Sequence, residues 1–164
     1  MATYDRDEVA AAIERYIDVR DEINAGRGTW ADLAQFFTDD AVFIDPAWGR
    51  VQGIDEMRRT VFGEAMDGLE DWQFPTEFYA ISGNFVIVKW KQVLPGRRAD
   101  GRPYEQSGYS TLIYAGSGKF CYEEDLLNMT HFFEDMVESG WKPPPQMGMP
   151  PRHPDRDFSR PTGT

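Results

Sequence analysis

The spacing of apolar residues changes between Met66 and Asp71, and that change restricts what this chain can fold into. Before it, apolar residues recur at about 3.6 positions, the period of a helix with one buried face. After it, from Asp71 to Leu127, they alternate, the period of strands with one buried face. Helices first and strands afterwards, with short turns between the strands, specify an α+β fold whose strands run antiparallel to their neighbours.

The individual elements follow from capping and turn chemistry. A helix is expected over 5–25, with Val9, Ile13, Tyr16, Ile17 and Ile23 on one stripe, acidic residues in its first turn and Gly26 closing it. Thr29 and Asp32 have the spacing of a capping box and open a second helix, with Trp30, Leu33, Phe36 and Phe37 inward. Residues 41–45 read as a short strand stopped by Pro46, 49–53 as its return, and 54–66 as a third helix. Strands are expected over 71–80, 85–94, 104–115 and 119–127, separated by Ser82-Gly83-Asn84, a polar loop from Pro95 to Pro103, and Gly116-Ser117-Gly118. A short helix is expected over 128–139. Seven prolines fall between Pro143 and Pro161, so 143–164 reads as an extended Pro-rich tail or a strap across a neighbouring subunit, beside a domain covering 1–142.

Composition narrows the function classes. The 164 residues suffice for one domain with a real core, and the 14% aromatic content suits a ring-lined interior. A net charge of -11 argues against nucleic acid or an anionic membrane as partner. The single cysteine, Cys121, lies in a strand-like run and reads as a small buried apolar residue. No apolar leader and no membrane-length apolar run is visible, so a cytoplasmic location is expected. Two distant histidines and no HExxH or cysteine cluster suggest no metal, and no glycine-rich phosphate loop follows a strand, so no cofactor is expected.

Glu14-Arg15-Tyr16, Asn24-Ala25-Gly26, the run Phe37-Thr38-Asp39-Asp40-Ala41-Val42-Phe43-Ile44-Asp45-Pro46, Gly53-Ile54-Asp55-Glu56-Met57-Arg58 and Gly116-Ser117-Gly118-Lys119 resemble the NTF2-like superfamily. Within it they are most similar to ketosteroid isomerases and SnoaL-like polyketide cyclases, over roughly Asp5 to Asn128. The resemblance implies a cone: a curved, mixed or antiparallel sheet with three helices from the first half of the chain enclosing a pocket. It also implies a homodimer formed through the outer sheet face. By position, Asp45 matches the isomerases' general base and Tyr16 their oxygen-polarising tyrosine. Their second donor, a carboxylic acid, falls at Ser110. A late-strand aspartate, as in SnoaL-like cyclases, is matched within Glu123-Glu124-Asp125.

The residues support that chemistry without the resemblance. Asp45 ends an apolar strand, where lost hydration would raise its pKa and suit it to moving protons; equally, an Asp before Pro caps a turn. Tyr16 sits mid-stripe, either as a donor to substrate or as a core tyrosine reaching a carbonyl. Phe43, Trp48, Trp72 and Trp90 are candidate pocket walls. Strand parity puts Ser110, Leu112 and Tyr114 on one face, so all three are expected to look inward together. Parity also groups Cys121 with Glu123 and Asp125, offering a second cavity acid. Arg98 and Asp100 lie in an expected exposed loop and are not assigned a role in catalysis. The leading expectation is an isomerase, cyclase or dehydratase acting on a small hydrophobic molecule through Asp45, Tyr16 and Ser110. The alternatives are a hydrophobic-ligand binder without chemistry and a scaffold subunit.

Overall fold

A computed structural model describes residues 3–162. Helix α1, Arg6–Asn24, begins where the Asp5 carboxylate accepts the Asp7 N–H at 2.8 Å. Val9, Ala12, Ile13, Tyr16, Arg20 and Ile23 form its buried face. Asp32 accepts the Thr29 N–H at 2.8 Å, as the capping spacing predicts, but the segment it opens, Trp30–Phe36, is a 3₁₀ helix. Strand β1, Phe37–Asp45, starts earlier than expected because Phe37 already lies beside Phe120. Strand β2, Gly49–Gln52, returns along it. Helix α2, Ile54–Arg59, continues as a π turn over Thr60–Glu64. Gly63 suits that widened turn, since a Cβ there would meet the Arg58 carbonyl oxygen at 2.7 Å.

The remaining strands are β3 (Thr76–Ser82), β4 (Phe85–Arg97), β5 (Pro103–Gly116) and β6 (Lys119–Leu127), and helix α3 is Met129–Ser139. Asn128 caps α3 by accepting the Thr130 and His131 N–H groups at 3.1 and 3.3 Å. The six strands form one curved mixed sheet in the order β2-β1-β6-β5-β4-β3. Only β1 and β6 run parallel within it. This is the NTF2-like cone, with the helices against one face and the main core between.

Two irregularities overturn simple alternation. In β3 the pairing with β4 shifts between Thr76 and Phe78, which leaves Phe78 53% exposed while Tyr79 and Ile81 turn inward. Trp72 and Phe74 are buried ahead of the strand, not within it. In β6, Tyr114 pairs with Phe120 but Ile113 pairs with Tyr122, so Cys121 is an extra residue. Cys121 and Tyr122 therefore join Val42, Ile44 and Ile113 in a cluster on the outer face, opposite Phe120. The expected grouping of Cys121 with Glu123 and Asp125 is corrected: the bulge separates them.

The tail folds back on its own chain. Asp155 bridges to Gly49, and the Arg50 N–H donates to the Asp155 carbonyl at 2.9 Å. The Arg50 guanidinium reaches the Ser159 carbonyl at 2.6 Å. A Cβ on Gly49 would meet the Asp155 oxygen at 2.4 Å, so this close approach requires glycine. The described tail thus straps its own domain. Arg98 likewise finds a structural use, pairing with Asp135 and Glu138 of α3, while Asp100 bonds Arg102. No described helix is long and apolar enough to cross a membrane.

Candidate functional site

The helices and the sheet enclose a cavity of about 250 Å³. Its walls are mostly apolar: Phe43, Trp48, Phe62, Phe74, Trp90 and Phe132 are among the side chains on it. Tail residues Met147, Gly148, Met149 and Pro150 close one side. Gly148 allows this closure, since a Cβ there would meet the Glu64 carbonyl oxygen at 2.7 Å.

The polar groups gather at the end of β6. Glu123 is 1% exposed and accepts the Tyr16 hydroxyl proton, with Oη 3.1 and 3.2 Å from its two oxygens. Two residues on, Asp125 accepts the Ser110 hydroxyl at 2.5 Å, directly across from its strand partner. Ser110 in turn accepts the Trp90 indole N–H at 2.9 Å. The indole can lie there because Gly108 stands opposite Trp90; a Cβ on it would be 2.5 Å from the ring. Asp45 reaches the same cavity from the end of β1. Its Oδ1 accepts the Ala47 and Trp48 N–H groups, both at 2.7 Å, and among the described residues no donor reaches its Oδ2. The turn-capping and cavity-facing roles coincide in one carboxylate.

Burial dominates the electrostatics. It pushes the Asp45 carboxyl up, against the pull of the two backbone N–H groups. Burial and then the neighbouring Glu123 charge push Asp125 well above the usual carboxylate range, with Asp45 adding to the effect. Burial also raises Glu123, opposed by Arg20 and by hydrogen bonds that include Tyr16's. Two carboxyls this close and this poorly hydrated cannot both ionise cheaply, so the pair holds a proton to higher pH than a lone carboxyl would. Tyr16 is held well above its ordinary value by burial and by Glu123, so its proton stays on oxygen.

The structure therefore brings Asp45, Tyr16, Glu123, Asp125, Phe43, Trp48 and Trp90 to one cavity. Ser110 lies behind its wall and acts on it through Asp125. Three expected wall residues are elsewhere. Leu112 and Tyr114 share the inward face with Ser110, but α1 covers that part of the sheet, and Tyr114 donates to Glu8 at 2.6 Å. Trp72 packs edge-on against Trp141 at 5.0 Å behind the wall. Sequence reasoning missed Arg20, Gln92 and the tail methionines, all on the cavity. Arg20 follows Tyr16 by four residues and so shares its helix face, which was the available signal. Among the described residues no cluster of three or more His, Cys, Asp or Glu side chains is arranged to hold a metal ion.

Comparison with known proteins gives a consistent picture. The sequence profile of the SnoaL-like domain matches residues 6–121. No curated protein matches this sequence. A Jannaschia sp. CCS1 protein designated a candidate SnoaL-like polyketide cyclase superposes with a TM-score of 0.62 at 15% identity, covering 85% of this chain and 99% of that one. An NTF2-like protein from Anabaena variabilis gives 0.59 at 16% identity, covering 78% and 95%. A candidate ketosteroid isomerase from Kribbella flavida gives 0.55 at 18% identity, covering 85% and 84%. At these identities the likeness establishes the fold and leaves the chemistry to the residues.

Proposed function

This chain belongs to the SnoaL-like domain family, and from that premise we propose that it is a cofactor-independent enzyme moving a proton on a small hydrophobic substrate that carries a ring and a carbonyl. The observation that supports this most is that three carboxyl groups, Glu123 buried and Asp45 and Asp125 half-buried, open on one apolar cavity. Groups pushed apart in protonation by their surroundings divide naturally into an acid and a base. Asp45 is the base: its Oδ1 is pinned by two N–H groups, and its other oxygen, Oδ2, takes a proton from the carbon beside the carbonyl. The electron pair released moves onto the carbonyl oxygen. Asp125 is the acid that delivers a proton to that oxygen or to a leaving hydroxyl, and Ser110 with Trp90 fixes its orientation. Tyr16 holds Glu123 and so positions the pair, instead of polarising the substrate directly as its sequence position suggests. Isomerisation, ring closure and dehydration all use this set.

The test is turnover of ketosteroid, polyketide and β-hydroxyketone panels by the wild type, Asp45→Asn and Asp125→Asn. Loss of about 10²–10⁴-fold in kcat with ligand affinity kept is expected for Asp45→Asn. A second reading, a binder without chemistry, is favoured by the two backbone N–H groups on Asp45, which a turn cap alone would explain. Tight binding across the panel without any turnover above background would select it.

A further inference from the structure

We infer that Arg20 is the group that grips the substrate's reacting oxygen, and that the substrate class is therefore a ring compound with an acidic enol or phenol oxygen. Arg20 is 4% exposed and is the only cation among the described residues that line the cavity. Its Nε is buried without a partner, and no ion pair or hydrogen bond joins its side chain to the described protein. Instead it is held among rings, with its guanidinium carbon 5.5 Å from the Trp90 centroid, 5.8 Å from Trp30 and 5.9 Å from Tyr16. Ring faces stabilise the charge but accept little from N–H groups, and buried donors without acceptors are costly. The nearby carboxyls Glu123 and Asp125 feel the Arg20 charge but make no ion pair or hydrogen bond with it; they accept hydrogen bonds from Tyr16 and Ser110. The donors are left for an incoming oxygen.

This rests on the proposed acid–base chemistry for its place in the reaction. When Asp45 removes a proton, negative charge develops on the substrate oxygen, and a fixed cation with open donors is what that charge needs. Tyr16 does not serve, since its hydroxyl already donates its hydrogen bond to Glu123. The kind of anion follows from the neighbours. A carboxylate would set its whole charge beside Asp45 and Glu123. An enolate or phenolate spreads charge over a ring that the aromatic walls accept.

Binding of para-nitrophenol tests this without turnover, because the ionised and neutral dye absorb at different wavelengths. The wild type should bind the phenolate about tenfold or more tighter than uncharged para-nitroanisole, the size expected of a charge-assisted hydrogen bond. Bound dye should therefore ionise at lower pH than free dye. Arg20→Met should abolish the preference while holding para-nitroanisole within about twofold, and Arg20→Lys should restore part of it. Dye bound in its neutral form by the wild type would overturn the proposal even if Arg20→Met failed to fold. Tighter binding of para-nitrobenzoate than of para-nitrophenolate would overturn the enol or phenol class. An inactive Asp45→Asn variant that still lowers the dye's ionisation pH separates failure of this inference from failure of the proposed reaction.

Discussion

The inner face of the sheet is solid at one end and hollow at the other, and one helix covers both. At the solid end, Val9, Ala12 and Ile13 of α1 meet Phe37, Leu112 and Phe120, none of which exposes any surface. Tyr114 and Phe120 pack edge to face at 5.7 Å there. A turn or two further along the same helix, Tyr16 and Arg20 line open space together with Glu123 and Asp125. The polar residues make the difference. Apolar surfaces can close on one another completely, whereas buried carboxyls and a guanidinium need room for partners and ligands. The bulge at Cys121 makes the division possible, because it returns Glu123 to the inner face after Cys121 and Tyr122 have turned out.

If the two ends differ as described, truncation should cost stability at one and affinity at the other. Phe120→Ala should destabilise the fold by about 3–5 kcal/mol in urea unfolding. Trp48→Ala, on the hollow wall, should cost about 1 kcal/mol or less while weakening binding of apolar aromatic probes. Equal stability losses would break the comparison.

A smaller effect tests how the polar end is assembled. Gly108→Ala places a methyl 2.5 Å from the Trp90 indole, which must leave its bond to Ser110. A cost of about 1–3 kcal/mol is expected. It should come with a changed near-ultraviolet tryptophan signal and a faster loss of activity on warming. An unchanged spectrum would mean that the indole does not depend on the missing Cβ.

Legibility in the sequence divides along the same line. Element boundaries near caps and glycine turns were readable: Gly116-Ser117-Gly118 and Asn128 bound β6 as expected, and Asp5 starts α1. Asp45 was readable because a carboxylate after Val42-Phe43-Ile44 contradicts its surroundings. A second cavity carboxyl was readable within Glu123-Glu124-Asp125, but not that Asp125 lies directly across from Ser110, which only the strand pairing reveals. The bulge at Cys121 was invisible because Phe120, Cys121 and Tyr122 are all apolar and tolerate either face. Arg20 was passed over because an arginine at the margin of an apolar stripe ordinarily reaches water. The tail's path depends on close approaches at Gly49, Gly68 and Gly148, which carry no periodic signal.

The pH dependence of stability sharpens the contrast further. Asp125 and Glu123 both have folded-state pKa values raised above their unfolded values. The stability they contribute is full below the ordinary carboxylate range, near pH 4, and is lost as pH rises through their raised values. The wild type should therefore weaken on going from about pH 4 toward neutrality through these two groups, with Asp45, also raised by burial, adding in the same direction. Asp125→Asn cannot ionise and relieves the repulsion on Glu123, so its unfolding midpoint should fall less over that range. The solid end holds no such group, so Ile13→Val should lower stability by about 0.5–1.5 kcal/mol equally at every pH. A wild-type slope that survives in Asp125→Asn would place the linkage elsewhere.

A small change in stability is expected from the tail, whose exposed stretches bury little apolar surface of their own. A chain ending at Lys142 loses Met147, Met149 and Pro150 from the cavity and the bonds of Arg50 to Asp155 and Ser159. The melting temperature should fall by about 2–4 °C, the equivalent of about 1 kcal/mol in a chain of this size. The larger consequence should be kinetic, because the hollow end would open to solvent while the solid end stays packed. Bound para-nitroanisole should then leave at least about tenfold faster, with association hardly changed. Light scattering should give the same number of subunits as the full chain, because the tail's described contacts are with its own domain. A drop to smaller particles on truncation would show the tail fastening one copy to another instead of closing the cavity of its own.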